Sequence, residues 1–260
     1  MLKYARSLKG NRKMNKKTVL VTGASQGLGS SIAQKFASNN YNVIINYNTH
    51  KEKAEQLQNE LIKKYNINCL SIKCDITNDQ EIQNMYQTIK KEFGTLDVLV
   101  NNAGIAIDTT FEDKTKENFR KTLELNLIAP FFLTKLFADD MYKNKQGKII
   151  NISSTNGIDS YYEFSLDYDA SKAALINLTH NLANHYAPYI NVNCVCPGWI
   201  NTPMNKELDD EFKEKENKKI LLNRFAEPEE IANLVYFLST DEASYINDSI
   251  IKIDGGVKHD

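Results

Sequence analysis

Thr18-Val19-Leu20-Val21-Thr22 runs without a break into Gly23-Ala24-Ser25-Gln26-Gly27-Leu28-Gly29, and this join decides the fold. A short β-branched run of this kind reads as a buried strand. The helical pattern Ser30 to Ser38 follows at once. Three glycines between a strand and a helix let the backbone approach an anion and aim free N–H groups at it. The helix N-terminus adds a partial positive charge. The spacing is GxxxGxG, not the GxGxxG of the commoner dinucleotide fingerprint. A merely tight turn is the plainer reading of the glycines; their strand–turn–helix setting favours a nucleotide pyrophosphate site.

Outward from this join the same alternation repeats. Strands are expected at Asn42–Tyr47, Asn68–Lys73 and Leu96–Val100, separated by helices at His50–Tyr65 and Asp79–Phe93. Gly94 closes the second of these helices. A long helical segment at Glu117–Lys143 contains Asn126 and Pro130. Strands follow at Lys148–Ser153, Ile190–Val195 and Ser249–Ile253, with helices from Tyr168 to about Tyr186 and from Pro228 to Leu238. The charged stretch Asn205–Lys219 reads as a helical insertion. Strands that are apolar throughout, joined through helices, predict one α/β domain: a doubly wound parallel sheet of about seven strands, Rossmann-type, with helices on both faces.

The 260 residues suffice for one substantial core, and 42% hydrophobic with 25% charged residues is a globular composition. A net charge of −1 points to neither nucleic acid nor an anionic membrane. No apolar run approaches the ~20 residues that span a bilayer. Cys69, Cys74, Cys194 and Cys196 lack metal-ligand spacing, so no metal is expected and buried thiols in a reducing, cytoplasmic compartment are. Residues 1–13 are basic and acid-free. They read either as a targeting segment or as an extension upstream of a start at Met14, the latter preferred because Met14-Asn15-Lys16-Lys17 leads straight into the first strand. The domain is therefore taken as 14–260.

Tyr168 and Lys172 stand four apart, on one face of a helix. A phenol with an ordinary pKa of about 10 is a poor proton carrier at neutral pH, and a nearby ammonium draws it towards the working range. The pair is suited to moving a proton to or from a carbonyl or hydroxyl oxygen. A solvated helix face is the bland alternative.

The glycine-rich turn, Asn101-Asn102-Ala103-Gly104, Asn126, Ser154, the Tyr168/Lys172 pair and Pro197-Gly198 occur in the order seen in short-chain dehydrogenase/reductases. From Met14 onward the whole chain resembles that family. Its Pro228–Ala232 and Ser239–Ser244 segments resemble the 3-oxoacyl-[acyl-carrier-protein] reductases most. The resemblance implies that Tyr168 protonates the substrate oxygen, Ser154 holds it, and Lys172 tunes Tyr168 and binds the nicotinamide ribose. Asn126 would position a relay water. Gly23, Gly27 and Gly29 would admit the pyrophosphate, with Ser25, Gln26 and Leu28 in the same turn. Asp75 and Ile76 would meet the adenine, Asn102 with Ala103 and Gly104 the adenosine ribose, and Thr202 the nicotinamide carboxamide or phosphate beside Pro197, Gly198 and Ile200.

Departures from the family pattern carry information. Neither Gln26 nor Asn48 is basic, yet the acid that binds a ribose 2′-hydroxyl is missing from Asn46-Tyr47-Asn48. With His50 and Lys51 close by, NADP(H) is preferred over NAD(H). The Ser154-to-Tyr168 spacing is one residue longer than usual, which leaves Thr155 as a competing hydroxyl. Tyr161, Tyr162, Glu163 and Phe164 stand where relatives have small residues, either shaping the substrate pocket or packing on a neighbouring subunit. Carrier-protein docking would use Lys143, Lys145 and Lys148, although the second basic position, near Ala187-Pro188-Tyr189, is absent. A small-molecule or thioester substrate is expected. A sugar, steroid or other small secondary alcohol is the alternative, and a non-catalytic nucleotide sensor the alternative of another class. The resemblance also implies a homo-oligomer, dimer or tetramer, and the apolar Ile128, Phe131, Phe132, Leu136 and Phe137 exceed what one helix face buries.

Overall fold

The computed structural model describes residues 16–159, 161–205 and 208–258, so the basic stretch 1–13 lies outside the described residues. Seven strands form one parallel sheet in the order β3-β2-β1-β4-β5-β6-β7. They are β1 (Thr18–Val21), β2 (Asn42–Tyr47), β3 (Cys69–Lys73), β4 (Val98–Asn101), β5 (Gly147–Ile152), β6 (Ile190–Pro197) and β7 (Ile250–Ile253). The chain winds outward from β1 to β3, then returns past β1 to lay down β4. The carboxyl ends of β1 and β4 therefore flank the point where the winding reverses, the usual crevice of such sheets. Gly23 and Asn102 follow those two ends.

Alternation along each strand divides the core. Val19 and Val21, Val43 and Ile45, Val98 and Val100 face α1 (Gly27–Ser38), α2 (Lys51–Tyr65) and α8 (Pro228–Leu238). Leu20, Ile44 and Leu99 face α3 (Asp79–Phe93), α5 (Ala129–Lys143) and α6 (Leu166–Tyr186). Both sheet faces are thus covered, which is why the strands read as unbroken apolar runs. Each such side chain contributes about 1.5–3 kcal/mol on burial. Phe36 of α1 sits edge-on to Tyr41 (5.1 Å) and Tyr236 of α8 (5.5 Å), fastening the first layer.

Several boundaries differ from the sequence expectation, each for a local reason. Helix α1 begins at Gly27, three residues early, because Gln26 takes an extended cap backbone (φ −160°, ψ 174°). The expected Glu117–Lys143 helix is three pieces: α4 (Lys116–Leu123), a π turn at Glu124–Ile128, and α5. The π turn admits the fully buried Asn126 side chain, whose bonds are described below. Helix α6 starts at Leu166, since the Ser165 hydroxyl donates to Asp169 Oδ1 (2.8 Å) and braces the first turn. Strand β6 extends through Pro197, which pairs with Ile253. Within the Asn205–Lys219 stretch, α7 spans Asp210–Lys219, capped by Asp209. Among the described residues no helix is long and apolar enough to cross a membrane.

Candidate active site

The glycine-rich turn is shaped by contacts a side chain would forbid. Gly23 has φ +63°, and a Cβ there would lie 3.0 Å from Ala103 Cα. A Cβ on Gly29 would meet Asn102 Nδ2 and the Gly23 carbonyl at 2.6 Å. The Asn102 amide donates to the Thr22 carbonyl (2.8 Å), while Thr22 Oγ1 accepts from the N–H groups of Asn102 (2.9 Å) and Ala103 (3.0 Å). These bonds latch the ends of β1 and β4 together. Gln26 makes no side-chain cap, so the first-turn N–H groups of α1 face outward without a side-chain acceptor. Thr202 and Pro203 close over the other side, within 3.4–3.7 Å of where a Gly27 Cβ would be. A cradle of backbone N–H groups with no room for side chains fits a dinucleotide pyrophosphate.

Tyr168, Lys172, Ser154 and Asn126 converge at the carboxyl ends of β4 and β5. Lys172 is 3% exposed and its Nζ donates to the Ile152 carbonyl at 2.9 Å. That Nζ also lies 5.4 Å from the Tyr168 ring centroid. Of the two candidate hydroxyls, that of Ser154 acts on the Tyr168 phenol, lowering it, and its Oγ accepts from the Asn156 N–H at 3.2 Å; Thr155 starts the 3₁₀ turn Thr155–Gly157. Asn126 Nδ2 donates to the Ile105 carbonyl (2.9 Å) and to Ser171 Oγ (3.0 Å), and its Oδ1 accepts from the Ile105 N–H (2.9 Å). A Cβ on Gly104 would sit 3.2 Å from Asn126 Oδ1 and 3.4 Å from Lys172 Nζ, so the two polar groups meet over that glycine.

Burial sets the ionisation of the pair. It lowers the Lys172 ammonium to about 8. It pushes the Tyr168 phenol up to about 12, against the lowering effect of the Ser154 hydrogen bond. The phenol therefore stands above its ordinary value in the protein alone, where the sequence reading expects it lowered: desolvation is the largest cause, and Asp169 and Asp108 raise it further.

Comparison with known proteins agrees with this geometry. A family model described as Enoyl-(Acyl carrier protein) reductase matches residues 23–258. Proteins named 3-oxoacyl-[acyl-carrier-protein] reductase are 36% identical in Aquifex aeolicus and 38% in Staphylococcus aureus, over 94% and 93% of this chain and 98% of each relative. The chain belongs to the short-chain dehydrogenase/reductase family. The crystal structure of acetoin dehydrogenase YohF from Salmonella typhimurium superposes on this short-chain dehydrogenase/reductase with a TM-score of 0.84 and 28% identity, covering 93% of this chain and 96% of that one.

The remaining predicted positions of this short-chain dehydrogenase/reductase fall at the carboxyl ends of β2 and β3 and around Pro197. Hydrogen bonds from Thr77 and Asn48 hold the Asp75 carboxyl below its ordinary range in spite of burial. The Ile76 side chain is core, 4% exposed, so only its backbone faces outward. Asn46, where an acid was sought, accepts from the Gly23 N–H (3.2 Å) and donates to the Cys74 carbonyl (2.9 Å). Ser25 and Leu28 stay within the turn, Leu28 packing on the core. Gly198 passes close to Asp254, and Ile200 bridges to Ala226. His50 bonds Thr49 and Lys51 pairs with Glu55; the cation at the turn is Lys53, whose Nζ donates to Gln26 Oε1 at 2.6 Å.

Lys143, Lys145 and Lys148 require a correction. Lys148 pairs in register with Val98, the first residue of β4. In a parallel sheet every turn that precedes a strand lies at the amino end, opposite the carboxyl ends that carry Tyr168. These lysines are remote from this chain's own cleft. Lys145 and Lys148 instead border a cavity of about 220 Å³ with Lys17, Asp97 and Tyr189.

The sequence reading missed the support beneath the site. Lys114 Nζ donates to Asp167 Oδ1 (2.9 Å), with both side chains at most 3% exposed, and Thr122 Oγ1 donates to Asp167 Oδ2 (2.6 Å). Asn156 Nδ2 donates to Asp169 Oδ1 at 2.7 Å, and Ser153 Oγ to the Lys172 carbonyl at 2.8 Å. An acid beside Tyr168 on the first turn of a helix was the only local signal; its lysine partner lies 53 residues away. Among the described residues no three His, Cys, Asp or Glu side chains form a group that could hold a metal ion. Cys194 and Cys196 are buried on β6 with their sulfurs 3.7 Å apart.

Proposed function

We propose that this chain is an NADP(H)-dependent 3-oxoacyl-thioester reductase. The observation that carries the reading is the Tyr168–Ser154–Lys172–Asn126 cluster beside the glycine-rich cradle. It sits in a chain whose relatives of nearly identical extent are named 3-oxoacyl-[acyl-carrier-protein] reductase. Gly23–Gly29, Asn102 and Lys172 would hold a nicotinamide dinucleotide, which would supply the hydride. Ser154 Oγ and Tyr168 Oη converge on the substrate carbonyl oxygen, and Tyr168 gives it a proton as negative charge develops there. A proton leaving Lys172 Nζ restores the phenol. Asn126 holds the Ile105 backbone and Ser171 so that the lysine keeps its place.

Lys53 supports the choice of cofactor. Among the described residues no carboxylate lies within ion-pair distance of it, and its bond to Gln26 keeps it at the adenosine side of the turn. A cation there matches a ribose 2′-phosphate. Lys53→Gln is expected to weaken binding of adenosine 2′,5′-bisphosphate about 10-fold, roughly 1.4 kcal/mol, and to leave binding of adenosine 5′-monophosphate unchanged. Equal affinities for both ligands in the parent protein would exclude the assignment.

The deciding assay follows nicotinamide oxidation with an acetoacetyl thioester, with NADPH and NADH in separate reactions. Fast oxidation with NADPH is the expected result. A crotonyl thioester tests the enoyl reduction suggested by the family description, and diacetyl tests a small diketone, as the likeness to an acetoin dehydrogenase suggests. Turnover of either in place of the acetoacetyl thioester reassigns the substrate. No turnover of any, by protein that binds cofactor, favours the nucleotide sensor. The exposed Ile128 and Phe132 beside α5, 37% and 47% exposed, favour a homo-oligomer, which light scattering would size.

A further inference from the structure

The cavity at the amino ends of the strands lies at the opposite edge of the sheet from Tyr168. Four neighbouring strands, β1, β4, β5 and β6, begin around it. Lys17 leads into β1, Asp97 into β4, Lys148 lies near the start of β5 and Asn191 near the start of β6. Lys145, in the turn before β5, and Asp241, after α8, complete the charged lining. Its 220 Å³ correspond to the liquid volume of about seven waters. That is below the roughly 300 Å³ at which pockets for drug-sized ligands begin. An occupant is therefore small.

The pairing of these groups leaves positive charge over. Lys17 Nζ pairs with Asp241 Oδ1 at 3.1 Å, and Asp97 Oδ2 accepts the Thr18 N–H at 2.7 Å. Lys148 Nζ donates to the neutral amide oxygen of Asn191 at 2.8 Å, while Lys145 Nζ lies 5.6 Å from the Tyr189 ring centroid. Among the described residues neither Lys145 nor Lys148 has a carboxylate within ion-pair distance. Burial lowers the Lys148 ammonium, and Lys17 lowers it further, against the opposing effect of Asp241. A half-buried ammonium without a counter-charge is stabilised by any anion that reaches it.

Both lysines are held where they are. Asn191 Nδ2 donates to the carbonyls of Ser244 (3.1 Å) and Ile246 (3.0 Å), which fixes the amide that accepts from Lys148. Lys145 takes a left-handed backbone, φ +55°, that an L side chain rarely adopts. Strain of that kind is kept at a residue lining the cavity. Cations that line one hollow from separate positions call for an anion with oxygens on several sides. Tetrahedral phosphate offers them, with a charge of about −1.5 to −2 at pH 7; a carboxylate offers two oxygens in one plane.

We propose that this cavity binds a small phosphate dianion, either inorganic phosphate or the phosphate end of a short monoester, through Lys145 and Lys148 with Lys17 completing the positive wall. The proposal does not depend on the reductase reading. The length of β5 separates Lys148 from the Ile152 carbonyl that holds Lys172, so the site is distinct from the glycine-rich cradle.

The test is a calorimetric titration of sodium phosphate into the full chain, with NADP+ saturating so that the cradle is filled, and with chloride matching the ionic strength. One phosphate per chain is the expected result. Kd should rise about 10-fold in Lys145→Gln and in Lys148→Gln, and stay within two-fold in Lys143→Gln, whose lysine pairs with Asp140 outside the cavity. Phosphate should also raise the melting temperature of the parent and not that of Lys148→Gln. If Lys148→Gln does not fold, Lys145→Gln, on an exposed turn, carries the test. Glycerol 3-phosphate binding more tightly than phosphate would identify a monoester as the ligand, and equal affinity the free anion. No saturable binding, an equal loss in Lys143→Gln, or malonate binding as tightly as phosphate would overturn the proposal.

Discussion

The floor and the roof of the cleft are held by different physics. Beneath Tyr168, polar groups are buried and paired: Asn126 and Asp167 are wholly inaccessible, and each engages at least two partners. Above it, α7 has no fully buried residue, and its contacts with the body include the rings around Phe212 and the Trp199 bond to Glu216. A hydrogen-bonded floor fixes atoms to within a few tenths of an ångström, because an unpaired buried group is penalised by about 1–3 kcal/mol. Ring contacts are worth about 0.5–1.5 kcal/mol each and tolerate sliding. The floor is therefore held rigidly by paired polar groups, and the region above it by contacts that tolerate sliding.

Substitutions test this contrast. Tyr168→Phe should lower turnover by about 10³–10⁴-fold while cofactor binding, followed by nicotinamide fluorescence, stays intact; loss of both together would mean the phenol is structural. Asp167→Ala should remove about 3–5 kcal/mol of stability in denaturant titration, since Lys114 is left charged and buried. A change under 1 kcal/mol would show that the floor is not held by that pair.

Lys172 gives a signed pH test. Burial takes its ammonium from 10.5 to about 8. Between those values the unfolded chain binds the extra proton, so this group's contribution to stability rises with pH across the window. Below pH 8 both states are protonated and the folded state carries the desolvation penalty. Lys172→Met should stabilise the protein by about 1–2 kcal/mol at pH 7, after the lost bond to Ile152, and flatten the rise between pH 8 and 10.5. Unchanged pH dependence of the melting temperature in the variant would refute this. Smallest of all, Phe212→Ala should alter global stability by less than about 1 kcal/mol, because the roof is not part of the core; a loss as large as that of Asp167→Ala would erase the distinction between the two regions.

Much of the floor was legible in the sequence. The strand–turn–helix join at Thr18–Gly29 and the apolar strands set the parallel sheet, since period and glycine spacing are local properties. Tyr168 and Lys172 share one helix, so their spacing alone placed them together. Long-range pairings left no such mark. Nothing local links Lys114 to Asp167, or Lys53 to Gln26, because each pair is joined only when separate elements pack. The Lys143–Lys148 patch was misplaced for a related reason: proximity in the list of motifs is not proximity across a sheet whose two ends are a full strand length apart. The reversed shift of Tyr168 had the same origin, since burial is a property of the fold and not of a spacing.

The π turn at Glu124–Ile128 does more than admit Asn126. One additional residue in a helical turn advances the azimuth of everything downstream by about 100°. The segments on either side therefore share an axis but not a phase: α4 rests on α6, while α5 turns Leu133, Phe137 and Met141 into the sheet. Deleting a single residue there would restore an unbroken α-helix and rotate Phe131 and Phe132 towards space now filled by aliphatic side chains. The chain could then keep every strand and every residue of the candidate site and still present the wrong meridian of its longest helical segment to the interior.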